Sequence, residues 1–139
     1  FTVNVPLEAG AGDADYDLVF RSVVVPVLTA FAPQLVMLSA GYDAHKRDPL
    51  GGMRVSTSGY TTMTSRLRAM TDAVCDGRLA AVTEGGYDLA AFEACLTETL
   101  AVGGDAPPAT VPDIAGPTAT AERAIEAVRR AQGRFWPTL

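Results

Sequence analysis

The sequence predicts an α/β fold, an open and mainly parallel sheet flanked by helices. Short apolar runs at residues 35–39 and 78–83 alternate with longer stretches in which apolar residues recur at helical spacing. The first run is close to continuously apolar, as strands buried inside a parallel sheet are. Each run leads into a loop carrying Gly and Asp or Tyr, and open α/β sheets place their ligand sites at the C-terminal ends of strands. Composition agrees: the 139 residues are 48% hydrophobic and 19% charged, ordinary for one globular domain.

The elements follow in order. Residues 1–5 read as a short strand closed by Pro6, with a Gly-rich loop over 9–12. Asp13 or Asp15 is expected to cap a helix running to about Phe31, with Tyr16, Phe20, Val23, Val24, Val27 and Leu28 on its apolar face. Pro26 lies inside that helix, so a kink or a broken turn is expected there. Pro33 closes the element, and residues 35–39 form the first buried strand. The loop over 43–55 is rich in Gly, Pro and charge, and its length marks it as functional.

Ser56 or Ser58 caps the next helix, in which Met63, Leu67, Met70 and Val74 recur at helical spacing. Asp76-Gly77 ends it. Residues 78–83 are the second buried strand, and 84–87 the loop leaving its C-terminal end. Leu89, Phe92, Leu96 and Leu100 mark a third helix. Residues 103–117, with Pro107-Pro108, read as a surface linker. Residues 118–139 supply a last helix over about 120–132 and a tail whose Phe135-Trp136 folds back over apolar surface.

Several classes of function are disfavoured. A net charge of −5 argues against general binding to nucleic acid or to an anionic membrane surface, which need basic patches. No apolar run approaches the length of a membrane span. The chain opens on strand-like residues rather than a basic segment and a long apolar one, so no signal peptide is expected. Cys75 and Cys95 fall within helical patterns and read as buried small hydrophobes, which fits a reducing, cytoplasmic setting.

The chemistry-bearing residues cluster in the loops after the two apolar runs. Asp43, in Ser39-Ala40-Gly41-Tyr42-Asp43-Ala44, is a carboxylate released at the C-terminal end of a buried strand. Small neighbours let a metal ion or substrate approach the backbone there, so Asp43 is a candidate metal ligand. An isolated loop Asp more often caps a turn. Tyr87 follows Gly85-Gly86, a pair that brings the backbone against a ligand, although a tyrosine at a helix start is commonly a half-buried packing residue. His45, the single histidine, stands two positions after Asp43 and mimics a metal-binding pair. A loop histidine that positions the turn or faces solvent is the simpler reading. Asp48 before Pro49 could be a second metal ligand, and the simpler reading is a turn residue accepting backbone N–H bonds.

Together these segments resemble the histone deacetylase and acetylpolyamine amidohydrolase family, in its class II-like bacterial form. Asn4-Val5-Pro6-Leu7 with Gly12-Asp13-Ala14-Asp15-Tyr16 is similar to the family's strand and substrate-rim loop. Residues 39–51 resemble its third metal-ligand loop, Ser56-Thr57-Ser58-Gly59-Tyr60 the helix that follows, and Glu84-Gly85-Gly86-Tyr87-Asp88-Leu89 the loop of the catalytic tyrosine. Ala124-Ile125-Glu126 and Phe135-Trp136-Pro137 are similar to the tail of bacterial members.

The resemblance implies the arginase/deacetylase-like fold, of which residues 1–139 would be the C-terminal portion. It implies a zinc-dependent amidohydrolase that removes acetyl groups from acetyl-lysine or acetylated polyamines through metal-activated water. Asp43 would be one Zn²⁺ ligand and Tyr87 the donor to the acyl oxygen. Gly85, Gly86, Asp13 and Asp15 would border the substrate, although for Asp13 and Asp15 a plain helix start is an equal alternative. In the family the remaining ligands, an Asp-x-His motif, and the histidine pair acting as general base lie upstream of anything matched here, so the zinc site is incomplete and the chain alone is expected to be inactive. Its expected partners are the acetylated amine, the missing N-terminal part of the domain, and a second copy in a homo-oligomer. The alternative is a catalytically inactive deacetylase-like binding module. An arginase-like ureohydrolase would need a second carboxylate two residues after Asp43, where His45 stands.

Overall fold

A computed structural model describes residues 2–104 and 110–139. The elements run α1 (Asp13–Val19), a π-helical turn (Phe20–Val24), α2 (Val25–Phe31), β1 (Val36–Ala40), α3 (Thr57–Cys75), β2 (Leu79–Thr83), α4 (Leu89–Gly104) and α5 (Ala119–Gln132). Strands β1 and β2 pair in parallel, with Val36 opposite Leu79 and Ala40 opposite Thr83. The parallel α/β architecture expected from the alternation is present.

Residues 2–7 differ from the expected strand. They hold the period-two alternation, with Val3, Val5 and Leu7 turned inward, yet they join no ladder among the described residues. Their apolar side chains pack instead on Val19 and Val23 of the first helix and on Ile125 and Val128 of α5. Alternation records a buried face, and a strand also needs a partner edge. Residue 1 lies outside the described residues.

The first helix is not broken at Pro26. Proline lacks the N–H that an α-helix interior needs, and its ring crowds the carbonyl four residues back. A wide turn over Phe20–Val24 precedes it, with the Val25 N–H donating to the Phe20 carbonyl, and the helix then continues to Phe31. Neither aspartate is the N-cap, which is Gly12; Asp15 Oδ2 accepts the Gly12 N–H at 3.2 Å.

Ser56 caps α3, its Oγ accepting the Gly59 N–H at 3.3 Å. The same helix ends where Asp76 and Gly77 take positive φ. Helix α4 runs through Gly103 and Gly104, which extends it into the expected linker. Pro107-Pro108 lies outside the described residues. Segment 112–114 is tied down rather than loose. The Ile114 N–H donates to Asp17 Oδ2 at 3.0 Å, and Arg66 reaches the Pro112 carbonyl at 3.2 Å and Asp113 at 2.9 Å. In the tail, Trp136 is buried with its ring 6.5 Å from that of Phe31, while Phe135 stays exposed under Arg134.

The sheet has two unlike faces. Val36, Leu38 and Ala40 face the helices, packing with Leu67 and Met70 or with Tyr60 and Met63 of α3. On the opposite face the register sets Met37 beside Ala80 and Ser39 beside Val82. Met37 is 73% exposed and Val82 54% exposed, so β2 is not the buried strand its composition suggests. No described element covers that face.

Candidate active site

The loops after β1 and β2 lie side by side because the parallel pairing continues past the strands. The Glu84 N–H donates to the Ala40 carbonyl at 3.0 Å, and the Tyr42 N–H to the Gly85 carbonyl at 2.8 Å. This sets Asp43 directly against Gly85. A Cβ on Gly85 would overlap Asp43 Oδ2, so only glycine leaves room for the carboxylate. Gly86 has φ +139°, and a Cβ there would sit 2.9 Å from Phe92 and 3.1 Å from Tyr42. The glycine pair expected to admit a ligand thus first admits the neighbouring loop.

Aromatic packing holds the Asp43 loop from below. Tyr42 is buried, with its ring 5.5 Å edge-on from Phe92 of α4 and 5.2 Å from Tyr60 of α3. The Tyr60 hydroxyl donates to the Gly41 carbonyl at 3.2 Å. A cavity of about 290 Å³ opens beside the loop, walled by Tyr16, Phe20, Leu38, Tyr60 and Met63, with Asp43 as its one formal charge among the described residues. Burial, and then the nearby Asp43 carboxylate, raise the Tyr16 phenol above the usual tyrosine range. Tyr60 shifts the same way, by burial first and then by Cys95, Tyr16 and Asp43. Both phenols therefore keep their protons, and the Tyr60 O–H donates its own to the Gly41 carbonyl. The sequence offers no motif for the Tyr60 contact, because it joins a helix to a loop across the core.

Asp48 and Tyr87 meet through the main chain. Asp48 Oδ1 accepts the Leu50 N–H at 2.9 Å and the Gly51 N–H at 3.1 Å, the expected turn. Its Oδ2 accepts the Tyr87 N–H at 2.7 Å from the other loop. Desolvation pushes the Asp48 carboxyl up, but backbone N–H groups of Tyr87, Leu50, Gly51 and Asp88 outweigh it, and its pKa falls below the usual value. Arg47 and Asp88 form a second link at 3.2 Å. Tyr87 itself is 58% exposed, and its phenol makes no hydrogen bond to a described residue.

His45 is buried, its Nδ1 accepting the Arg47 N–H at 3.2 Å. Burial, then Lys46 and Arg47, lower its pKa against the opposing pull of Asp88 and Asp13. It holds the turn. Asp13 accepts the Ser56 N–H at 2.7 Å and the Ser56 hydroxyl at 2.6 Å. Asp15 Oδ1 accepts the Ala121 N–H at 2.9 Å. Both carboxylates thus bind the scaffold around the Gly-rich loop.

Among the described residues, no group of three His, Cys, Asp or Glu side chains converges on a point that would hold a metal ion. Asp43 offers one oxygen donor, which is too few for a tetrahedral zinc centre. The donors described here do not make a metal centre by themselves.

The comparisons with known proteins bear on the family and the fold. Histone deacetylase 15 of Arabidopsis thaliana is 37% identical over the whole chain, which spans 25% of that relative. A probable deacetylase of Archaeoglobus fulgidus is 44% identical over 64% of the chain and 25% of its own length. The human polyamine deacetylase HDAC10 is 35% identical over the whole chain and 20% of its own length. The crystal structure of the HDA15 HD domain superposes with TM-score 0.83 at 36% identity, over 97% of this chain and 36% of that one. The histone deacetylase Clr3 gives 0.80 at 33% identity, over 99% and 22%. The chain therefore spans about a quarter of the curated relatives it matches. The histone deacetylase domain model matches residues 1–102, and the chain belongs to that family as a partial domain.

Proposed function

We propose that this chain is the C-terminal portion of a zinc-dependent amidohydrolase that deacetylates acetyl-lysine or acetylated polyamines. The observation that carries this reading is the Asp43 carboxylate at the end of β1, seated in the gap left by Gly85 on the loop that presents Tyr87. Deacetylase relatives, one of them a polyamine deacetylase, support the substrate class. Zinc, when bound, supplies the polarising charge and the acidified water of amide hydrolysis. Asp43 contributes one donor, and the others come from residues outside this chain. Tyr87 donates its phenol O–H to the acyl oxygen as negative charge develops there, an effect of about 3–4 kcal/mol for one well-placed donor. Gly85 and Gly86 border the acyl group with bare backbone. Asp13 and Asp15 shape the rim by fixing the loop before α1.

The test is made in the full-length protein that carries this chain. Asp43→Asn loses zinc and deacetylase activity together, because a neutral amide is a poor zinc ligand. Tyr87→Phe keeps zinc and lowers the rate about 10²–10³-fold. The isolated chain retains no stoichiometric zinc after dialysis and turns over no acetyl-lysine peptide or acetylated polyamine. Retention of zinc by the Asp43→Asn protein would place the metal elsewhere, and activity in the isolated chain would overturn the partial-site reading.

A further inference from the structure

We propose that Asp48 is a positioning residue for Tyr87, holding the catalytic loop at the height from which its phenol can reach the acyl oxygen. The proposal rests on Tyr87 being the oxyanion donor and adds what fixes it there. The site needs such a device. Tyr87 is more than half exposed, so packing of its own side chain does little to hold it, and the Tyr42 N–H bond to the Gly85 carbonyl fixes the loop only two residues earlier. What remains is hydrogen bonding. Asp48 supplies it as a fork, with one oxygen on its own turn at Leu50 and Gly51 and the other on the Tyr87 N–H at 2.7 Å.

The turn end of the fork is itself rigid. Gly51 packs against the backbone of Asp43, where a Cβ would overlap the Asp43 carbonyl oxygen. The Asp48 turn is thereby locked to the metal-ligand candidate on one side and to Tyr87 on the other. One carboxylate sets the spacing between the two groups that must act on the same carbonyl. A misplacement of about 1 Å in such a pair lowers rates by about 10²-fold. The Arg47–Asp88 pair spans the same two loops, but Arg47 is 57% exposed, and exposed pairs contribute little.

The experiment uses the full-length protein with ¹⁵N-tyrosine labelling, the Tyr87 amide being assigned by its loss in Tyr87→Phe. Amide exchange at Tyr87 is expected to be protected in the native protein. In Asp48→Ala it accelerates at least about tenfold, and kcat falls about 10–100-fold while KM and zinc content stay within about threefold. Asp48→Asn offers one acceptor oxygen instead of two, cannot serve both loops, and moves the same quantities in the same direction. Arg47→Ala leaves kcat within about threefold. An unprotected Tyr87 amide in the native protein overturns the proposal without any variant. So does unchanged kcat in a folded Asp48→Ala or Asp48→Asn protein. Unchanged kcat in Tyr87→Phe would instead refute the oxyanion role, while the exchange rates still decide whether Asp48 holds the loop.

Discussion

At the scale of single residues, the site is defined by where side chains are missing. Gly85 is the clearest case, since the Asp43 carboxylate occupies the space a Cβ would take. On the proposed zinc-ligand role of Asp43, Gly85→Ala is expected to turn that carboxylate aside and weaken zinc binding in the full-length protein by about 10–100-fold, the usual loss when a ligand is misoriented. Competition with a zinc chelator measures it. Unchanged affinity would mean that the loop yields and that Gly85 does not shape the ligand. The placement of Asp43 and Tyr87 on the loops leaving the two strands is legible, because each lies within a few residues of a strand end. The roles proposed for them come from the family resemblance and not from that local pattern. Tyr60 and the second arm of the Asp48 fork are not legible. Their contacts join segments far apart in the chain, and no local spacing encodes them.

At the scale of elements, one buried ion pair joins the first helix, α3 and segment 112–114. Asp17 is 1% exposed and its Oδ1 receives the Arg66 Nε at 2.6 Å. Asp17→Ala would leave Arg66 with Asp113 and the Pro112 carbonyl, take from Arg21 one of its two carboxylate partners, and leave the Ile114 N–H without its acceptor. Removing one partner of a buried pair costs about 3–5 kcal/mol, and the surviving Asp113 contact sets the expectation near about 3 kcal/mol. Urea denaturation of the full-length protein checks this, and a loss below about 1 kcal/mol would show the network to be dispensable. Helix α3 and the two strands of the sheet are readable from apolar spacing and from Ser56 and Asp76-Gly77 at the helix ends. The stretch over 2–7 is misread because a strand and a packed extended segment share one alternation, and only the partner edge separates them. The tie at 112–114 is hidden by a composition that favours loops.

At the scale of the whole molecule, the sheet offers Met37, Ser39, Ala80 and Val82 on a face that no described element covers. Parallel sheets are ordinarily covered on both faces. The isolated 139-residue chain is therefore expected to self-associate, which light scattering detects. Replacing Met37 and Val82 together by Lys should shift it toward monomer. A wild-type chain that remains monomeric at all concentrations would show the face to be benign. The wide turn over Phe20–Val24 bears on the same scale. An α-helix advances about 100° per residue, so the extra residue a π-turn accommodates offsets the angular phase of everything after it. Tyr16 and Phe20 pack against Tyr60 and Met63 near the Asp43 loop, and Val19, Val23, Val24 and Val27 against α5. Phe20, Val24, Val25 and Leu28 pack against Leu67 and Met70 of α3. Phe20 and Val24, the two ends of that turn, each pack against two of these clusters, so the helix joins all three as a common wall where a single apolar stripe would serve one.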